Sequence, residues 1–311
     1  MTAPKSRGSF LGRALGFLYG RPVLGLVLLL IAPLLWMGII YLGSLLNLLF
    51  YSFYSLDDFT GQIKYDLTLS TLQQLFTSSS NIDIVQRTFV MSIVVTIACA
   101  LIAFPIAYFM AFHTKGNVKA IWILLVLLPL WSSYLVRVYA WKLILAKEGV
   151  ISWFFNALGL QPVLDWILAF PVIGGTSLSS SYLGMFLVFV YVWLPYMILP
   201  IQASLERVPK SLLQASSDLG AKPAQTFWRV LLPLTVPGIA AGSIFTFSLT
   251  LGDYIIPGVV GAPGYFIGQM VYTQQGNAGN IPLAAAFSLV PIVVIGIYLA
   301  VAKRLGAFDA L

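Results

Sequence analysis

The 311-residue chain is 59% hydrophobic, carries 17 basic and 10 acidic side chains, and has a mean hydropathy of +0.94. A soluble domain is roughly 45–50% apolar, so a water-soluble fold is excluded for want of polar residues to cover it. A single cysteine (Cys99) and a single histidine (His113) exclude a Cys/His metal cluster and an intrachain disulfide, and the net charge of +7 gives no reason to invoke nucleic acid.

Residues 22–56 carry no charge, and residues 88–114 carry none apart from His113. About 20 apolar residues cross the ~30 Å of bilayer hydrocarbon. Lipid rejects unpaired backbone groups, which leaves helices or a closed barrel, and continuous apolar runs without strict alternation exclude the barrel. The fold class is an all-α polytopic membrane protein. A basic segment, 1–22, comes first and reads as cytoplasmic. The apolar run behind it is too long for a signal-peptide core, so it reads as an uncleaved first span. Six spans are expected near 23–50, 87–112, 119–141, 182–204, 235–256 and 283–303, within one transmembrane domain over 23–303, followed by a tail at 304–311.

Between the first two spans, residues 54–86 place Asp57, Asp58, Asp66 and Asp83 against Lys64, a mildly acidic face suited to a soluble partner or to solvent. Arg137 and Lys142 close the third span, where long cations snorkel to the interface. Trp131, Tyr134, Tyr139, Trp141 and Tyr182 gather near span ends like an aromatic belt. "GVISWFFNALGL" reads as an amphipathic helix on the membrane surface, and "GGTSLSSS" as a flexible entry to the fourth span. With the N-terminus inside, 12 basic residues fall on the cytoplasmic side and 5 outside. Positive charge favours the inside, so both termini are expected in the cytoplasm.

That orientation makes 205–234 the longest cytoplasmic loop. Pro209 suits a first helical turn. Leu212, Ala215, Ser216 and Leu219 recur at helical spacing. Gly220 suits a left-handed cap, and Pro223 starts a second short helix that Pro233, Pro237 and Gly238 would close before the fifth span. The product is an elbow against the inner face. Periodicity leaves two readings open, an amphipathic loop on lipid headgroups or a docking element.

Polar residues at membrane depth are costly and have reasons. Asp253, beside Tyr254, sits near the outer part of the fifth span. It either faces a cavity and attracts a cation, with aromatic neighbours adding cation–π contact, or caps a break before Pro257, or pairs with a base such as Arg137. Trp131, Tyr134, Arg137, Tyr139 and Trp193 are candidates to line a path, against an interfacial or packing role for each. Cys99 reads as a small packing residue, His113 as a span-end residue near headgroups, and the uncharged 257–282 as an outer loop or re-entrant hairpin. No G-x-x-x-x-G-K-[ST] is present, so this chain lacks the backbone cradle for ATP phosphates.

"LLQASSDLGAKPAQTFWRVLLPLTVPGIAAGS" resembles the EAA loop of membrane subunits of ATP-binding cassette importers: Gln214, Ala215, Ser216, Gly220, Leu232 and Pro233 occupy the pattern's places. "LLPLWSSYLVRVYAW" and "LTLGDYIIPGVVG" resemble the spermidine/putrescine branch. The resemblance implies a multi-pass permease subunit of a bacterial inner membrane that catalyses no covalent chemistry. Its elbow would be a coupling helix, with Leu212, Gln214, Ala215, Ser216, Asp218, Leu219 and Gly220 at the ATPase. The implied partners are a cytoplasmic ATPase dimer holding ATP and Mg, a second homologous permease, a periplasmic solute-binding protein and membrane lipid. The implied solute is a polyamine, ahead of an opine, amino acid or phosphonate. Gln214 departs from the acid of the pattern, so a salt bridge from that position cannot form. A secondary transporter or channel would use the same spans, but few intramembrane ionisable residues are present to couple ions. A membrane enzyme would need a cluster that Asp253 alone does not supply.

Overall fold

A computed structural model describes residues 22–57 and 59–304. Asp58 and the expected terminal segments, Lys5, Arg7, Arg13 and Arg21 included, lie outside the described residues. The chain divides into two compact units, Met1–Tyr51 and Ser52–Leu311. In the first, α1 (Pro22–Leu35) runs through a π-helical stretch (Trp36–Leu42) into α2 (Gly43–Tyr51). The apolar side chains are largely exposed, as Leu29 and Trp36 are, a surface suited to hydrocarbon or to another protein.

The second unit opens with a two-stranded hairpin, β1 (Ser55–Leu56) on β2 (Ile63–Lys64), antiparallel with Ser55 opposite Lys64. Asp57 organises its turn: Oδ1 accepts from the Phe59 amide at 2.9 Å and Oδ2 meets Lys64 Nζ at 3.0 Å. The Phe59 amide, then Lys64, holds the Asp57 carboxyl below its ordinary value. Next come α3 (Ser70–Thr77), α4 (Ser79–His113), α5 (Gly116–Trp131), α6 (Tyr134–Ile144), α7 (Val150–Ala157) and α8 (Gln161–Leu168). They are followed by α9 (Tyr182–Glu206), α10 (Lys210–Asp218), α11 (Pro223–Thr226), α12 (Leu232–Gly252), α13 (Ile255–Val259), α14 (Ile267–Gly276) and α15 (Ile281–Arg304).

The described helices supply five spans by length and composition, or six if the bent pair α5–α6 counts as one. Three expected boundaries change. The second span starts eight residues earlier than expected, at Ser79, because the polar turn 79–86 continues the helix outward. The third is broken at Ser132–Ser133 by a 90° bend: Pro129 weakens the end of α5, and the Ser132 hydroxyl takes the Pro129 carbonyl at 2.9 Å. The fifth begins at Pro223 and ends at Gly252, one continuous helical run of 30 residues. Pro233 and Pro237 do not close the elbow: Pro233 stands in the first turn of α12, directly after a π-helical stretch at Phe227–Leu231, and Pro237 lies inside that helix. The segment expected to be a flexible entry to α9 is an ordered cap. Ser181 Oγ accepts from the Gly184 amide at 3.0 Å and donates to the Leu178 carbonyl at 2.8 Å.

The core is the three-way packing of α4, α9 and α12. Helix α4 contributes small side chains, Cys99, Ala103 and Ala107, against the bulk of Phe189, Met197 and Ile201 on α9. Cys99 is fully buried there, the packing role expected of it. Its Sγ lies 3.8 Å from the Val190 carbonyl. Helix α12 presents Gly238 and Gly242, a small-xxx-small pair. A Cβ on Gly238 would lie 2.6 Å from the Pro200 carbonyl oxygen, and one on Gly242 2.7 Å from Met197 Sδ. Buried hydroxyls satisfy themselves along their own helices: Thr88, Ser92 and Thr96 each donate to the carbonyl four residues back at 2.7–2.8 Å. A second cluster joins α3, α4, α14 and α15 through Leu75, Ile84, Ile267 and Phe287.

Replacing Gly238 by Leu forces α9 and α12 apart and is expected to cost about 1–3 kcal/mol, read as a lower unfolding temperature in detergent. Gly296→Ala is the control, since its Cβ meets nothing within 4 Å, and that variant is expected to unfold at or above the wild-type temperature.

Candidate functional site

Two places hold the candidate residues. The first is the elbow. Helix α10 follows Pro209, and Gly220 ends it with φ +76°. The Gly220 amide donates to the Ser217 carbonyl at 2.9 Å and the Ala221 amide to the Ser216 carbonyl at 3.1 Å, the bond pair of a Schellman cap. The second arm starts at Pro223, where the Gln225 side chain accepts from the Lys222 amide at 2.9 Å. The arms are pinned together by Ser216 Oγ and Thr226 Oγ1, 2.9 Å apart. Leu213 and Phe227 anchor the elbow on the core, Phe227 edge-on to Phe104 with ring centroids 5.4 Å apart.

That anchoring turns the other face outward. Leu219 is 88% and Leu212 44% exposed, and Gln214, Ala215, Asp218 and Gly220 are exposed with them. Ser216 departs from the expected outward face, since its hydroxyl is engaged by the second arm. Trp228, 65% exposed, adds to the apolar tip and was not among the expected residues. The phase of the second arm, which turns Phe227 in and Trp228 out, is set by the π stretch and carries no signal in a 3.6-residue period.

The second place is the break after α12. Asp253 is 9% exposed. Its Oδ1 accepts from the amides of Ile255 and Ile256 at 2.7 and 3.0 Å, capping α13, and its Oδ2 accepts from the Tyr134 hydroxyl. Of the readings left open for Asp253, the cap is therefore formed. Tyr134 stacks on Trp193 with centroids 5.7 Å apart, and Trp193 meets Tyr196 at 5.8 Å. The Arg137 guanidinium lies 5.9 Å from the Tyr134 ring centroid. Arg137 is not Asp253's partner here; its Nε and Nη1 are buried without a hydrogen bond. Tyr254 stacks on Tyr272 at 5.2 Å, a pairing that no local pattern shows. Trp131 stands apart from the cluster, 78% exposed at the end of α5, and Tyr139 is also exposed. His113 ends α4 exposed, stacked on Phe109 at 5.6 Å.

A separate cleft of about 690 Å³ lies between Gly174–Gly175, Ser180, Pro257 and the glycine-rich turn around Gly264, and Asp253, Tyr134, Tyr254 and Trp193 are not among its lining residues. A carboxylate, two tyrosine rings and an indole within reach of one another are the groups that hold an organic ammonium ion.

The chain matches the family of binding-protein-dependent transport system inner membrane components over residues 6–307. It belongs to that family. It is a multi-pass permease subunit of an ATP-binding cassette importer of the inner membrane, and not an enzyme. Among its relatives is the inner membrane ABC transporter permease protein YdcU of Escherichia coli (strain K12), 60% identical over 97% of this chain and 96% of the relative. The spermidine/putrescine transport system permease protein PotB of the same strain is 32% identical over 69% of this chain and 74% of its own length. A crystal structure of a bacterial ABC transporter involved in import of the acidic polysaccharide alginate superposes with a TM-score of 0.69 at 15% identity, covering 94% of this chain and 99% of that one. The permease fold of the expected class is thus present, EAA-type loop included.

Tyr134→Phe removes the donor to a buried carboxylate oxygen. It is expected to cost about 1–3 kcal/mol, seen as a fall in detergent unfolding temperature. Asp253→Asn keeps an acceptor for the α13 amides and is expected to fall less than Asp253→Ala.

Proposed function

We propose that the elbow of this permease is the surface on which a cytoplasmic ATPase subunit docks, with both termini on the same side as the elbow. The observation that carries this is the exposed apolar tip, Leu212 and Leu219 around the Gly220 cap, on a loop rigidly tied to the core. Contiguous exposed apolar surface marks a site of interaction, and a cap whose Cβ position is open leaves room for close backbone approach. With Gln214 in place of an acid, docking rests on shape and apolar contact, and Asp218 is the acid left to meet a basic partner. ATP and Mg belong to that partner.

The assembly follows as two permeases, this one forming half of the pathway, with two ATPase subunits and a periplasmic solute-binding protein. ATP closes the ATPases, the elbows approach, and the cavity opens outward to receive solute; hydrolysis reverses the cycle. The solute is a small organic cation of polyamine type. Support comes from the printed role of the PotB relative and from Asp253 among Tyr134, Tyr254 and Trp193. In this role Asp253 gives the ammonium its charge partner, and the rings supply cation–π contact.

The test is a gentle detergent pull-down from native membranes, with uptake of labelled putrescine and spermidine by reconstituted assemblies. The wild type is expected to bring down an ATPase and a second permease. Leu219→Asp and Gly220→Arg are expected to lose the ATPase and at least ~90% of uptake, corresponding to ~1.4 kcal/mol or more of lost docking energy, while staying folded in the membrane. An ATPase retained by both variants sinks the docking assignment. Asp253→Asn is expected to keep the ATPase and lose uptake of both amines; unchanged uptake removes Asp253 from the path.

A further inference from the structure

The two arms of the elbow lead to the two partners of one hydrogen bond. The second arm is continuous with the helical run Pro223–Gly252, a rod of about 45 Å that ends directly at Asp253. The first arm is rooted at Glu206, the last residue of α9, four positions before α10 begins at Lys210. Glu206 makes two contacts: its Oε1 accepts from Gln202 Nε2 at 2.7 Å, and its Oε2 meets Lys119 Nζ at 2.7 Å. Lys119 sits in the first turn of α5. Helix α5 has no buried residue, so it lies against the bundle through partly buried side chains such as Trp122, Ile123 and Val126. At its far end is the 90° break, and the residue that opens α6 beyond it is Tyr134.

We propose that Lys119 and Glu206 are positioning residues whose ion pair passes displacement of the elbow's first arm along α5 to Tyr134, while the second arm carries Asp253. Because Ser216 and Thr226 pin the arms together, the elbow moves as one piece, and a shift of the loosely packed α5 against the helix that ends at Asp253 is then read as making or breaking the Tyr134–Asp253 bond. This rests on the docking of an ATPase at the elbow proposed above. Each side chain is 32% exposed, and such pairs add little to stability. Their use here is to make a loosely packed helix follow the elbow. Gln202, 5% exposed, holds the Glu206 carboxylate in place.

The experiment uses the whole assembly in proteoliposomes, with nitroxide labels at Leu135→Cys on α6 and Gly252→Cys at the end of α12. Both positions are exposed, and Cys99 is fully buried and stays unlabelled. Pulsed electron resonance compares the label separation without nucleotide and with ATP and vanadate. In the wild type the separation is expected to change. Lys119→Glu and Glu206→Lys are each expected to keep the ATPase and lose the change, and the double exchange K119E/E206K to regain it; Lys119→Gln and Glu206→Gln serve if a reversal does not accumulate. An ATPase retained with the change intact in the single variants overturns the link. So does a double exchange that fails to restore it, or loss of the ATPase from the single variants alone. No ATPase on the wild-type chain overturns the docking reading as well.

Discussion

The close approach of α9 and α12 is the contact on which the rest of the unit depends. Gly238 and Gly242 let the α12 backbone sit against Pro200, Ser204 and Met197 of α9 with no room for a side chain between them. Apolar burial gives no preference for protein over lipid inside a bilayer, so association there rests on dense packing of this kind. The same two helices end at the two candidate places. Helix α9 runs into the first arm of the elbow, and α12 runs into Asp253. Anything that separates them therefore disturbs the docking surface and the polar cluster together.

Many of the hydroxyls buried in this packing find a partner close at hand. Thr88, Ser92 and Thr96 bond within α4, and Thr246 and Thr250 within α12. Thr88 also accepts the amide of Ile267 at 3.0 Å, which fixes the start of α14 on α4. Trp193 Nε1, Gln202 Oε1 and Ser248 Oγ find no such partner, and neither does Arg137, with two guanidinium nitrogens buried and unbonded beside Tyr134. Its charge lies against the ring whose hydroxyl donates to Asp253.

Membrane class and the positions of most spans were legible because apolar runs without charge have a single solution in lipid. The Gly220 cap was legible as well, since a glycine after a helical face signals a left-handed turn, and φ +76° is the conformation found. The break at Ser132–Ser133 was not: Trp131, Tyr134 and Tyr139 look like span-end anchors in sequence, and the apolar density on both sides of the serines continues without pause. The fate of Asp253 was legible only as alternatives, because its partner Tyr134 lies 119 residues away and the choice is made by tertiary packing. The passage of the fifth helix through Pro233 and Pro237 was hidden for a related reason. A π-helical stretch has no residue signature of its own, so nothing local showed that the helix continues through both prolines.

The bend between α5 and α6 also sets a length. Sixteen residues in α5 rise about 24 Å, less than the ~30 Å of a typical hydrocarbon core. The exposed hydroxyls of Ser132 and Ser133 mark where that helix stops. Either α6 carries the rest of the crossing, or another polypeptide covers the gap, or the bilayer thins, at a cost of a fraction of a kcal/mol for each ångström of mismatch. Where lipid meets the short helix, longer acyl chains work against the orientation of α6 and, through Tyr134, against the cluster it completes. Reconstitution in lipids of graded chain length reads this directly, and a Tyr134–Asp253 contact indifferent to thickness would mean that protein fills the gap.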